Sequence, residues 1–448
     1  MENGLKIGYG KTNITPPLGI FVSGYGIKRY AKGVLDELEA IAVVVEKDGK
    51  RVVLVAFDNI GIDERDINDS YKKEASIAGG VPEDGVFIHA THIHTGPEIG
   101  GQNDELIREH VIQVRRKIKD AVILAVQDLK ECEMGVGEAR AERVAFIRRY
   151  RMKDGTVRTN PGVNNPDILA PIGDIDDMVG VVRFKRKSDD IVLVNFANHP
   201  DTIGGEYISG DWPAQARRVV EKAIDNCKCV VFNGAEGDVN HVNVHPVGGD
   251  FNDMFNDFDD CSRGYGHSLH VGRVIAGAVL KVFDKVEYVD VDKVAYAQKE
   301  YGIKSNKPLL DEMELARLYY TLHKEGRDDE IPYKGMMLTT VVSDANRKIR
   351  LENAPDEFDL LFSAVKIGPV GFFGIPGEPF NAIGKGVKDV SGYKIIFPCC
   401  IVNAYDGYFP MKDSYDEGGY EARCSNFKAG VGEKMIEIGK EMLANLNK

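Results

Sequence analysis

The densest group of chemistry-bearing residues is VFIHATHIHTGPEIGG, residues 86–101. Alternation through VFIHATHIH predicts a strand with Ala90, His92 and His94 on one face and His89 and Thr91 on the other. Two imidazoles at i and i+2, entering a Gly/Pro loop, can converge on one metal ion. The alternative is a histidine pair hydrogen-bonded within a polar core. In NFANHPDTIGGEYISGDWP, His199 follows an apolar strand, and Pro200 holds its backbone extended. It is either a ligand or a structural histidine. FFGIPGEPF sets Glu378 between Pro-Gly and Pro after an apolar strand, where a buried carboxylate needs a cation or a helix to cap.

Two further segments end strands in polar clusters. VVFNGAEGDVNHVN carries Glu236, Asp238, Asn240 and His241 on a Gly-containing turn. Such a turn can form an anion-binding nest of backbone N–H groups, or be a surface turn with ordinary Asx bonding. IVNAYDGYFPMKDSYDEGGYEA crowds Tyr405, Tyr408, Tyr415 and Tyr420 around small residues, more phenols than a core usually needs. DFNDMFNDFDD, residues 250–260, lacks calcium-loop spacing and reads as a solvated loop or a weak cation site. Cys227-x-Cys229 has no partner pair at zinc-finger spacing.

These residues need strands and turns to hold them. AIAVVVE and RVVLVAF flank Lys47–Lys50, MVGVVRFKR and IVLVNFA flank Ser188–Asp190, and FSAVKI and VGFFGI flank Gly368-Pro369. Each pair predicts a hairpin. Each second strand runs into a polar cluster, the usual placement of chemistry in α/β enzymes. Ile107, Val111, Val114, Ile118 and Val122 recur at helical spacing within Asp104–Leu129. A helix is expected from Pro213 through Ile224 with Asp211 as its cap, and others over Gly266–Val286, Glu312–Lys324 and Val431–Leu446. The expected fold class is α/β (mixed α+β), with β-sheets flanked by helices and one catalytic domain over residues 1–448. Residues 287–360 read as a subdomain or lid within it.

The 448 residues carry 57 Lys+Arg against 70 Asp+Glu, a net charge of −13 that disfavours binding to phosphate backbones or anionic lipid. With 43% hydrophobic residues the chain has ample material for a core, and no apolar run reaches transmembrane length. No secretory signal pattern is visible, and seven cysteines, two of them adjacent, suit a reduced compartment. A cytoplasmic protein with no nucleic-acid partner and no membrane anchor is expected; a homo-oligomer is left open.

Taken in order, these segments resemble the catalytic domain of the neutral/alkaline ceramidases across roughly residues 5–427. The resemblance implies a zinc-dependent hydrolase of an N-acyl (amide) bond, with one Zn2+ per chain. The implied ligands are His92 in THIHTGP, His199 in ANHP, Glu378 in PGE and Tyr408 in NAYDGY. It also implies active-site roles for His94, for Tyr420 in GGYEA and for Arg148 in AFIRRYR, beside Arg149. One departure is chemical: GDVNHVN places Asn240 where the family's GDVSPN-like motif has a serine. An amide can hydrogen-bond a water or an oxyanion but cannot form an acyl-enzyme. Few residues follow Tyr420, so the expectation is a catalytic domain without the family's C-terminal immunoglobulin-like domain.

Zinc in such a site lowers the pKa of its water from 15.7 to roughly 7, giving hydroxide to attack a carbonyl carbon. Tyr420 or Arg148 would stabilise the oxyanion, and His94 or Asp238 would carry the proton to the leaving amine. The expected substrate is a small, polar, non-peptide amide rather than ceramide. An ester or lactone hydrolase with the same site, or a non-catalytic binding protein, are the alternatives.

Overall fold

The structure is a computed structural model that describes residues 4–62, 64–100, 104–248, 250, 255–256 and 261–448. The large sheet contains β1 (Leu5–Asn13), β2 (Glu39–Lys47), β3 (Lys50–Phe57), β4 (Val86–Ala90), β5 (Lys130–Arg140), β6 (Met178–Arg186), β7 (Asp190–Phe196) and β8 (Cys227–Asn233). Their order is β8-β7-β6-β5-β1-β2-β3-β4, and a short strand, Glu287–Val289, also pairs with β5. On β2, Ile41, Val43 and Val45 enter one core while Ala40, Ala42 and Val44 enter another. A sheet covered on both faces explains why these strands read as almost unbroken apolar runs.

Helices α1 (Arg65–Gly79) and α2 (Glu105–Gln127) cover the outer face of the β1–β4 half. Helices α3 (Asp211–Ala223) and α4 (Tyr265–Phe283) cover that of the β5–β8 half. The inner face packs on a second sheet, β9 (Val294–Lys304), β10 (Glu357–Ile367), β11 (Val370–Gly374) and β12 (Ile395–Cys399), in the order β9-β10-β11-β12. Phe372 sits at the centre of that contact, with ring centroids 6.0 Å from Phe87, 5.7 Å from Phe232 and 5.1 Å from Phe397. Between β9 and β10 the chain forms α5 (Met313–Lys324) and α6 (Gly335–Leu351), and α7 (Val431–Leu446) covers the second sheet's outer face. The result is four layers, helices on sheet on sheet on helix, the α/β mixture the sequence implied.

All three hairpins form as antiparallel pairs, β2–β3, β6–β7 and β10–β11. Asp104 caps α2, accepting from the N–H groups of Leu106 and Ile107 at 2.8 and 3.3 Å. Asp211 departs from expectation. It is the first residue of α3, at φ 49°, and its carboxylate accepts from the Thr202 N–H at 3.0 Å as well as from Trp212 N–H. It therefore ties the loop after His199 to the helix rather than simply capping it. Residues 287–360 do not form a separate layer, since β9 and the start of β10 belong to the second sheet; α5 and α6 stand outside both sheets.

The seven cysteines form no disulfide. Among the described residues no helix is long and apolar enough to cross a membrane. The acidic segment 250–260 lies largely outside the described residues; its first member, Asp250, accepts from Arg143 Nε at 2.8 Å.

Candidate metal centre

Three parallel strand pairs, β3–β4, β7–β8 and β11–β12, bring the C-terminal ends of strands from both sheets to one region. His92 follows β4, His199 follows β7, Glu236 follows β8 and Glu378 follows β11.

The expected strand over 86–94 stops at Ala90. There the chain peels away, with the Thr91 N–H bonded to Phe57 O and the His92 N–H to Asn59 O. His92 takes φ 70°, the left-handed region, which costs a residue with a Cβ about 1–2 kcal/mol. Its ring explains why the conformation is kept: Nδ1–H donates to Ile60 O at 2.6 Å, so Nε2 turns inward. Thus His92 and His94 lie side by side, ring centroids 5.0 Å apart, through a turn and not through strand alternation. His89, still within the strand, does different work. Its Nδ1–H donates to Cys400 O at 2.7 Å and its Nε2 accepts from Asn233 N–H at 2.9 Å, joining the two sheets.

His199 is oriented as His92 is, with Nδ1–H toward Glu236 O at 3.3 Å and Nε2 inward. Glu378 Oε2 lies 3.3 Å from His92 Nε2 and 3.6 Å from His199 Nε2. Its Oε1 accepts from the Tyr405 hydroxyl at 2.7 Å. One donor atom each from His92, His199, Glu236 and Glu378 lies within 4.8 Å of the others, and all four residues are buried. A second group, His92, His94 and His199, meets the same limit. Glu378 Oε2 and both Glu236 oxygens are buried with no hydrogen-bond partner. Imidazole nitrogens held by a bond at the opposite ring nitrogen, facing orphaned carboxylate oxygens, are the donor set and support of a divalent-metal site. The residues therefore fit a zinc ion.

The electrostatics favour the ligating form at two of the three imidazoles. Burial holds His199 and His94 well below the ordinary histidine pKa, with Arg148 adding to the effect at His199 and His92 at His94. Both are neutral at pH 7, as coordination requires. Burial also opposes charge on His92, but the Glu378 carboxylate outweighs it and raises His92 to about 9. Burial, helped by Glu378 and opposed by His92, raises Glu236.

Tyr408 is in strand register with Glu378, on short parallel strands Glu378–Pro379 and Tyr408–Phe409. Its oxygen accepts from an Arg148 terminal nitrogen at 3.2 Å. Arg148 also donates to Glu421 Oε1 at 2.7 Å and Gly237 O at 2.8 Å. Arg149 points elsewhere, bonding Ser414 Oγ at 2.9 Å and Gly418 O at 3.0 Å. A cavity of about 210 Å³ adjoins the cluster. His94, Arg148, His199, Tyr408 and Tyr420 line one side, and Met336, Leu338 and Val342 of α6 line the other.

Two expected site residues stand back from that cavity. Asp238 accepts from Asn381 N–H at 2.7 Å at the start of the short helix Asn381–Val387. Asn240 is fully buried; its Oδ1 accepts from Val242 N–H at 3.0 Å and its Nδ2 donates to Asn160 Oδ1 at 3.2 Å. Asn160, at φ 46°, is the residue of that pair that reaches the cavity wall. Glu236 is the residue that sequence reasoning placed only on a turn. The signal that could have found it was its position immediately after an apolar strand, shared with His199 and Glu378.

The fold is that of the neutral ceramidases. The chain aligns with the crystal structure of neutral ceramidase from Pseudomonas aeruginosa at TM-score 0.73 and 16% identity, over 99% of this chain and 74% of that one. It aligns with a ceramidase complexed with C2 at TM-score 0.72 and 15% identity, over 99% and 75% of the two chains. No model of a protein family matches the sequence, and no curated protein matches it.

Proposed function

We propose that this chain is a zinc-dependent hydrolase of a small, polar, non-peptide amide. The observation that carries the reading is the convergence of His92, His199 and Glu378 on one point beside a cavity walled by Arg148, Tyr408 and Tyr420. The ceramidase fold and the ordered motifs support amide chemistry over other hydrolyses.

A divalent ion there supplies Lewis-acid chemistry: it polarises a carbonyl oxygen and acidifies a coordinated water. The protein's own groups do the rest. Burial raises the pKa of Tyr408 and Tyr420 far above neutrality, so both phenols keep their protons and can donate to a developing oxyanion. The Arg148 guanidinium holds the Tyr408 oxygen from behind, leaving the phenol proton for the substrate. His94, neutral and in the cavity wall, is placed to accept a proton from water and pass it to the departing amine. With Asn240 engaged by Asn160 and Val242, no hydroxyl nucleophile is supplied there, and water attacks the carbonyl directly.

The cavity beside the cluster holds about 210 Å³, and a second of about 650 Å³ shares Thr159, Asn160, Met336 and Tyr420 with it. Met336, Leu338 and Val342 of helix α6 also line the first. The test is metal analysis of purified protein, then turnover of matched short-chain N-acyl amides and esters before and after chelation. About one zinc per chain and amide turnover lost on chelation are expected. Turnover of esters alone would replace this reading with an ester or lactone hydrolase.

A further inference from the structure

Glu236 has no part in the chemistry above, yet it is fully enclosed, at 0% exposed. Neither carboxylate oxygen makes a hydrogen bond of ordinary geometry, and the donors set against the group are the Cys400 thiol and its own backbone N–H. Among the described residues its one ion-pair contact is His92 Nε2 at 4.0 Å, and that nitrogen is already 3.3 Å from Glu378. Two buried carboxylates thus share one imidazole. A buried carboxylate without a cation is strongly unfavourable, the more so beside another.

The backbone of the same residue positions its neighbour, since Glu236 O accepts from His199 Nδ1–H while the side chain enters the space His199 Nε2 faces. The phenol expected to be the fourth ligand already has a cation at its oxygen. Tyr408 oxygen already accepts from the Arg148 guanidinium, whose positive charge opposes the approach of a second cation to that oxygen.

Resting on the reading that a divalent ion is bound by His92, His199 and Glu378, we infer that Glu236 is the fourth protein ligand, in place of Tyr408. The set is then two imidazoles and two carboxylates, and the two negative charges balance a divalent ion. An ion held instead by His92, His94 and His199 would leave Glu236 uncompensated.

The test is zinc affinity, measured on chelator-stripped protein by competition with a chromophoric chelator, together with the visible spectrum of the Co2+-substituted protein. Glu236→Gln is expected to weaken zinc binding by more than the roughly 10–100-fold lost with an outer-shell partner, and to alter the Co2+ spectrum. Tyr408→Phe and His94→Ala are expected to weaken it less and leave that spectrum in place. The metal-free Glu236→Gln protein melts at or above wild type, because a neutral amide of nearly the same shape replaces the buried carboxyl group. Glu236→Asp keeps the charge and withdraws the oxygens by one methylene; it also loses affinity if the carboxylate coordinates. Wild-type zinc affinity in both Glu236 variants overturns the assignment and leaves the proposed function standing, as does a larger loss in Tyr408→Phe or His94→Ala. Absence of zinc binding by the wild-type protein removes both.

Discussion

The Tyr405 hydroxyl donates to Glu378 Oε1 at 2.7 Å, and this bond fixes the carboxylate so that Oε2 faces His92 and His199. A ligand carboxylate oriented by a hydrogen bond binds metal better than a freely turning one. Tyr405→Phe removes the bond while keeping the ring, so zinc affinity falls about 10–100-fold with the fold intact. A metal titration with a circular-dichroism control reads this directly.

His92 combines an inward nitrogen with a left-handed backbone. A ligand that binds only the folded state stabilises it by about 2.7 kcal/mol at 100 times its Kd. Zinc should raise the melting temperature of the wild-type protein and leave that of His92→Ala unchanged. In metal-free protein, His92→Gly should be more stable than His92→Ala by about 1 kcal/mol, since glycine tolerates positive φ. Denaturant unfolding of the two variants compares them.

Arg148 and Glu421 form a buried pair, with Thr159 Oγ1 donating to the other carboxylate oxygen at 2.9 Å. Removing one partner strands the other charge. Arg148→Met should therefore cost about 3–5 kcal/mol, and Arg148→Met with Glu421→Leu should recover much of it. Recovered stability without recovered amide turnover would separate the catalytic contribution of Arg148 from its structural one.

Acid sensitivity should originate partly far from the site, around Arg186. Its side chain is buried, donating from Nε to Asp189 Oδ1 at 2.8 Å and from a terminal nitrogen to Asp128 Oδ2 at 2.7 Å. Burial works to raise the Asp189 pKa, but bonds from Arg186, Ser188 and Lys228 outweigh it and hold the carboxyl well below its ordinary value. That lies below the unfolded value of about 3.9. The stabilisation is thus complete above about pH 4 and is lost as pH falls through the depressed folded-state value. Urea midpoints measured from pH 5 downward should fall for the wild-type protein and fall less steeply for Arg186→Met.

Much of this was legible in the residues. The hairpins and long helices follow from local period, and His199 and Glu378 stood out because polar residues immediately after apolar strands are unusual. What escaped depends on distant partners. An acidic residue in a Gly-containing turn reads as solvated, and nothing near Glu236 in sequence reveals that Cys400 and Glu378 close over it. The turn that carries His92 is stabilised by carbonyls of Asn59 and Ile60, which no periodicity in residues 86–94 could announce. Asp238 looked like a proton carrier, but its Oδ1 accepts from the N–H of Asn381, a helix start far along the chain.

The four clustered donors follow β4, β7, β8 and β11, strands drawn from both sheets. No continuous stretch of polypeptide can grip the ion. A chain synthesised only as far as Glu236 lacks both Glu378 and every strand of the second sheet. The cluster is therefore complete only when both sheets are assembled, so metal binding there would report the finished fold.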